Sequence, residues 1–176
     1  MSGDNKPICS SCDESNLPLH FEFNICSNCL FNRAHNETKN DNFLEAIELH
    51  EKGVEFDLSI NDSQGAEHNL FGIALARERL RDYEIAEELF RTCLGECRKR
   101  GYDPESEHHY LGILVSYSIE KRDYEGTEQI CNQLLPIQSE LGKRHEEAMT
   151  TELLAWCALN RETYYQVRLF QVYIHA

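Results

Sequence analysis

The chain has 176 residues, of which 41% are hydrophobic and 27% are charged, which suits one domain or a small module followed by one domain. No apolar run approaches the roughly 18 residues of a membrane-spanning helix, and residues 1–10 lack the apolar core of a signal peptide, so we expect a cytoplasmic protein that does not bind membranes. The net charge of −14 disfavours nucleic acid as a partner.

The first motif in chain order is CSSCDESNLPLHFEFNICSNC, which covers residues 9–29 and contains two Cys-x-x-Cys pairs. In a reducing compartment, paired cysteines indicate a metal site, because disulfides are rare there. Two disulfides would require secretion, and a thioredoxin-like redox site would need only one pair between a strand and a helix. We therefore expect one structural Zn²⁺ ion, with no position open for water or catalysis. Its predicted ligands are Cys9, Cys12, Cys26 and Cys29.

Between the two cysteine pairs, apolar residues alternate with polar ones, which predicts a short strand. The alternating apolar residues are Leu17, Leu19, Phe21, Phe23 and Ile25. A helix is expected from Cys29 to about Thr38. This order of elements resembles the treble-clef class of zinc fingers, with a zinc ribbon as the alternative. Because four cysteines complete the site, His20 and His35 are expected to be surface residues.

The remainder of the chain contains an internal repeat of about 40 residues. It is marked by four aromatic residues at intervals of 40, 41 and 40 residues, which are Phe43, Tyr83, Tyr124 and Tyr164. Apolar residues follow most of these aromatics at offsets of 3, 6 and 10, which is one face of a helix, so each aromatic is expected to begin a helix. Gly101 and Gly142 are expected to end helices, and Pro136 to kink one without breaking it.

The pairs Asp82-Tyr83 and Asp123-Tyr124, with small Ala86 three residues further on, resemble the turn between the two helices of a tetratricopeptide repeat. The resemblance covers about residues 41–176 and has the longer, 40-residue form, with HEAT-type repeats as the alternative. It implies a mostly α-helical protein in which helical hairpins stack as an α-solenoid. We expect a zinc-binding module at residues 1–40 to cap the first hairpin, because no repeat-like first helix precedes Phe43.

The resemblance also implies that the first helix of each repeat lines a groove for a peptide or helix of a partner protein. The corresponding groove residues are Phe71, Leu75, Ser116, Ile119 and Trp156. No catalytic motif is present, so we expect a non-enzymatic adaptor. The alternative is a nucleic-acid-associated regulator that uses the zinc finger. Cys93, Cys131 and Cys157 lie at or beside periodic apolar positions and are expected in the core.

The chain ends in YYQVRLFQVYIHA, which matches the second helix of a last repeat. In that register Val167, Phe170 and Ile174 face inward. The residues left for the opposite side are Tyr165, Leu169, Val172 and Tyr173. A helix that is apolar all round must be covered, so we expect this side to contact a second copy or another protein, or to fold back into the groove.

Overall fold

The structure, a computed structural model, describes residues 9–12, 18–20, 22 and 25–174, with the side chains described up to residue 161. Within these residues the chain forms seven helices and no strand, which confirms a mostly α-helical fold. Every described helix is too short or too polar to cross a membrane. The helices are α1 (Ser27–Lys39), α2 (Phe43–Ser59), α3 (Ser63–Arg79), α4 (Tyr83–Arg100), α5 (Pro104–Glu120), α6 (Tyr124–Glu140) and α7 (Arg144–Ile174).

The repeated aromatic residues begin three of these helices. Phe43, Tyr83 and Tyr124 are the first residues of α2, α4 and α6, as the repeat predicted. The prediction is wrong for Tyr164, which lies inside the continuous helix α7. The residue before each of the first three aromatics is Asn or Asp, the best residues at a helix N-terminus, whereas Thr163 precedes Tyr164. Asp41, Arg81 and Arg122, two residues before the first three aromatics, adopt positive φ in the turns between helices, whereas α7 continues through the corresponding residue, Glu162.

Short turns separate the helices, and their polar residues explain where each helix begins. The carboxylates of Asp62, Asp103 and Asp123 accept a hydrogen bond from the backbone N–H three residues later, at 2.9, 3.2 and 2.9 Å. Each satisfies one of the N–H groups left free in a first helical turn. Gly101 and Gly142 follow α4 and α6 with φ of 137° and 67°, a region that favours glycine, which confirms both predicted helix ends.

Contacts within the chain form two compact units, residues 1–101 and residues 102–176. In the first unit α1 packs on α2 and α3, and α3 also packs on α2 and α4. In the second unit α6 packs on both α5 and α7, and it continues through Pro136 without a break, as predicted. The predicted domain boundary at residue 40 stays a prediction.

The segment between the two cysteine pairs does not contain the predicted strand in its described part. Residues 18–20, 25 and 26 have no regular secondary structure, and Glu22 lies in a turn. The backbone N–H of His20 donates to the carbonyl oxygen of Ile25 at 2.9 Å, so the chain reverses direction before Cys26. Leu17, Phe21 and Phe23 lie outside the described residues. The predicted helix after this segment is confirmed as α1.

Candidate metal centre

The four predicted ligands meet at the start of α1. Cys9 and Cys12 belong to one turn, while Cys26 immediately precedes α1 and Cys29 lies in its first turn. The four sulfur atoms all lie within 4.8 Å of one another, and those of Cys12 and Cys26 are 3.9 Å apart. A tetrahedral ion with metal–sulfur bonds of about 2.3 Å requires sulfur atoms roughly 3.8 Å apart. The donor set and its spacing therefore fit a metal ion.

The backbone around the cluster favours thiolate ligands. The N–H of Cys26 donates to the sulfur of Cys9 at 3.3 Å, and no side chain caps the N-terminus of α1. Burial raises the pKa of the Cys9 thiol, but backbone N–H groups of Cys26, Ser11 and Cys12 outweigh it and lower that pKa to about 6. The positive end of the α1 dipole lies beside the ligands and acts in the same direction.

Cys29 has the opposite shift. Burial, followed by hydrogen bonds that the protonated Cys29 thiol donates to the sulfur atoms of Cys12, Cys26 and Cys9, raises the pKa of Cys29 far above its usual range. Four adjacent thiols cannot all lose their protons without a cation, because each thiolate repels the next. A divalent cation at the centre removes this penalty and takes all four ligands in their charged form.

The cluster is part of a hydrophobic core that reaches α2. Cys9 and Cys26 share this core with Leu49 of α2, so the ligands and the second helix are packed together. The other buried members are Ile25, Leu30 and Ala34, and Leu19 and Cys29 pack against them. α1 and the cysteine cluster therefore pack on α2, and the predicted role of this module as a cap stays a prediction.

In comparisons with known proteins, no protein-family model matches the chain and no curated protein shows significant similarity to it.

His20 is buried rather than exposed, so its expected surface position was wrong. Only 5% of the residue is accessible, and its ring meets the ring of Phe56 edge-on, with centroids 5.5 Å apart. The backbone N–H of Glu22 donates to Nδ1 of His20 at 3.3 Å. His20 thus ties the chain reversal before Cys26 to α2. His35 is half-buried and stacks on Phe31.

A chain of buried polar side chains, which was not predicted from the sequence, joins α2 to α3. Nδ1 of His50 and Oδ1 of Asn69 are 2.8 Å apart, and Nδ2 of Asn69 donates to Oδ2 of Asp57 at 2.8 Å. Burial lowers the pKa of His50 and raises that of Asp57, so both changes favour the uncharged side chain. All three residues are at most 1% exposed.

Three glycines inside α2 and α3 make room for this polar chain. A Cβ atom on Gly53 would lie 2.5 Å from Oδ1 of Asn69, and one on Gly72 would lie 2.3 Å from Nε2 of His50. A Cβ atom on Gly65 would lie 2.7 Å from Oδ2 of Asp57. The sequence signal was therefore the placement of glycines inside two helices, a position at which glycine usually weakens a helix.

A cavity of about 510 Å³ lies between the start of α1 and α3, and Cys26 of the four-cysteine cluster is part of its wall. Its apolar side is formed by Pro18, Phe31 and Ile60, and its polar side includes amides and an imidazole. The polar and remaining lining residues are Cys26, Ser27, Asn28, Asp62, Gln64, Gly65, His68 and Asn69. The rings of Phe31 and His68 are 6.4 Å apart across it.

The predicted groove residues are distributed over both units. Phe71 and Leu75 are half-buried on α3, and the ring of Phe71 lies 5.6 Å from that of Phe90 on α4. Ser116 is exposed and Ile119 half-buried on α5, while Trp156 on α7 is 42% exposed. Their role in binding stays a prediction. The side chains of Tyr165, Leu169, Val172 and Tyr173 lie outside the described residues.

The other four cysteines are core residues, as expected for three of them. Cys93, Cys97, Cys131 and Cys157 are at most 1% exposed. Burial raises the pKa of Cys93 to about 12 and that of Cys131 to about 11, so these thiols stay protonated and unreactive.

Proposed function

We propose that this chain is a non-enzymatic interaction module in which one structural zinc ion supports a binding site for a peptide segment of a partner protein. Zinc is the proposed metal because four thiolates in a closed tetrahedral set are a common structural zinc site. Once Cys9, Cys12, Cys26 and Cys29 are bound, no ligand position is open to activate water, so the proposed role of the metal is structural.

The cavity between α1 and α3 carries the proposal of peptide binding. Its volume of about 510 Å³ and its mixture of apolar and amide-bearing walls suit a short peptide, whose side chains and backbone need both kinds of contact. Phe31 supplies an aromatic surface, and Asn28 and Gln64 supply amide donors and acceptors. Zinc at Cys26 would fix the wall from which Asn28 and Phe31 project.

The position of the cavity agrees with a tetratricopeptide-like arrangement. α1 and α3 precede α2 and α4, the helices that begin at the repeated aromatics Phe43 and Tyr83. α1 and α3 therefore occupy the first-helix position of successive repeats, and they contact each other. In a stack of helical hairpins, first helices line the concave surface, and that surface is the one proposed here to bind the peptide.

Charge makes a protein partner preferable to nucleic acid. The chain has a net charge of −14, and a zinc ion bound by four thiolates would add two further negative charges. Asp62 adds an acidic group to the cavity wall. A peptide with basic or amide side chains is therefore the favoured ligand, and phosphate-bearing ligands would be repelled.

Site-specific photo-crosslinking in the cells that make the protein tests this function. A photoreactive residue at Gln64, which lines the cavity, is expected to form a covalent adduct with a protein. The control position is Glu88, an exposed residue of α4 outside the cavity lining. The adduct should disappear when His68→Arg, which places a positive charge in the cavity and repels a basic peptide, is combined with the probe. Equal adducts from both positions, or an adduct with nucleic acid, would contradict the proposal.

A further inference from the structure

Helix α7 has 31 residues, which is nearly twice the 17 residues of α5 or α6. Helices α2 to α7 begin at residues 43, 63, 83, 104, 124 and 144, so each begins 20 or 21 residues after the previous one. The next helix would begin at residue 164, and Tyr164 is the fourth of the repeated aromatics. Instead, α7 continues through residue 164 without a break and is 31 residues long in total. By its place in the repeat, the second half of α7 therefore corresponds to the second helix of a hairpin, but no turn separates it from the first half.

The second half of α7 extends past the helix on which α7 packs. Close to the start of α6, the ring of Tyr124 lies 5.3 Å from the ring of Trp156. One turn later, Glu128 accepts a hydrogen bond from Arg161 at 2.7 Å. Since α6 begins at Tyr124, residues 162–174 of α7 extend about 20 Å beyond it at 1.5 Å per residue.

The first half of α7 has an exposed apolar surface where a hairpin partner would pack. Thr150 and Cys157 are buried, whereas Met149 is 56%, Trp156 42% and Leu159 65% exposed. In a closed hairpin, residues equidistant from the turn face each other, as His50 and Gly72 do about Asn61. By the same rule, a turn at residue 162 would place residues 164–174 opposite residues 150–160.

The sequence of the second half requires an apolar partner. Eight of the eleven residues from Tyr164 to Ile174 are apolar or aromatic, and the polar ones are Gln166, Arg168 and Gln171. Such a helix has no continuous polar face for water. Because α7 is continuous through residue 162, this half cannot fold back onto the first half of its own helix.

We propose that two copies of the chain exchange the second halves of α7, so that residues 164–174 of each copy pack on residues 150–160 of the other. Each copy then completes a hairpin with a helix from its partner, which is a low-cost route to a symmetric dimer. The two α7 helices run antiparallel, and the two-fold axis passes near Glu162. This interface is independent of the cavity between α1 and α3.

The position of the two-fold axis gives a direct test. The full chain is expected to have a mass in solution of twice 20.5 kDa, measured by light scattering at tens of micromolar. In the Thr163→Cys variant the two new cysteines lie beside the axis, on the same face of α7 as Met149, Trp156 and Leu159, within the Cα–Cα range of about 4.4–6.8 Å that a disulfide requires, so mild oxidation should link two chains. Thr151→Cys is the matched control, because residue 151 lies far from its own copy in this dimer.

A second variant separates exchange from other kinds of association. The double substitution Glu162→Gly and Thr163→Asp supplies a turn like those at Gly142 and Asp123, and it should give a monomer with the helix content of the wild type by circular dichroism. A monomeric wild type would overturn the proposal. So would a dimer that Thr163→Cys does not link, a dimer that Thr151→Cys links equally well, or a double variant that stays dimeric.

Discussion

The close approach of α2 and α3 at Gly72 makes a prediction that needs only one added methyl group. In Gly72→Ala the new Cβ atom would lie 2.3 Å from Nε2 and 2.4 Å from Cε1 of His50, distances that real Cβ atoms do not adopt. The ring of His50 is buried and its Nδ1 is hydrogen-bonded to Asn69, so it can move only by breaking that bond or separating the helices.

The expected change in the free energy of unfolding is the difference between one gain and two costs. Replacing glycine by alanine inside a helix favours the helix by about 0.5–1 kcal/mol. Overpacking at a rigid contact costs about 1–3 kcal/mol, and leaving buried Asn69 Oδ1 without its donor costs about another 1–3 kcal/mol. We therefore expect Gly72→Ala to lower the free energy of unfolding by about 1–5 kcal/mol.

Gly95 provides the matched control for this substitution. It lies inside α4 of the same unit, and an added Cβ atom there meets no atom within 4 Å. Gly95→Ala should therefore raise the free energy of unfolding by about 0.5–1 kcal/mol. Urea unfolding followed by circular dichroism at 222 nm (about the helix minimum) measures both variants against the wild type.

The clash also predicts that two substitutions are not additive. In a His50→Ala background the ring is absent, so adding Gly72→Ala should cost far less than it does in the wild type. The reasoning is refuted if Gly72→Ala is as stable as Gly95→Ala, or if its cost is unchanged in the His50→Ala background. Either result would mean that α2 and α3 are not in contact at these residues.

Three further predictions concern charge. Glu67 is 1% exposed and forms an ion pair with Arg100, so Arg100→Ala should lower the free energy of unfolding in urea by about 3 kcal/mol. Lys99→Ala, which removes the exposed ion pair of Lys99 with Glu96, should lower it by less than about 0.5 kcal/mol. Burial lowers the pKa of His50 in the folded state, so the stability that its neutral form contributes above the unfolded pKa is lost as pH falls below that value. The free energy of unfolding should therefore drop more between about pH 7 and pH 5, a range that includes the free histidine pKa of about 6.5, in the wild type than in His50→Gln, and equal slopes would contradict this. At physiological salt, fluorescence anisotropy should detect no binding of labelled DNA or RNA, and salt-sensitive micromolar binding would favour a nucleic-acid function instead.

The sequence predicted the features that depend on spacing along the chain. The Cys-x-x-Cys pairs predicted a cluster that the structure brings together. The 40-residue interval of aromatics predicted the first residues of α2, α4 and α6, because a helix N-terminus is set by local residues such as Asp123, whose carboxylate accepts from the backbone N–H of Gly126.

Features that depend on pairing between helices were not predictable in the same way. His50, Asn69 and Asp57 are individually polar residues, and only the contact of α2 with α3 turns them into one buried chain. His20 has no local signal for burial, because its partner Phe56 lies on another element. At Tyr164 the repeat was visible, but the local turn signal was too weak to end α7.

The metal content of the purified chain tests the central claim most directly. Native mass spectrometry of protein prepared without added metal should give one zinc ion for each 20.5 kDa chain, and Cys26→Ser should lose the ion. Because structural zinc contributes on the order of 10 kcal/mol to folding, removing it with a chelator should also unfold α1 and α2. A metal-free chain that melts at the same temperature as Cys26→Ser, or a chain that contains iron instead, would contradict the account.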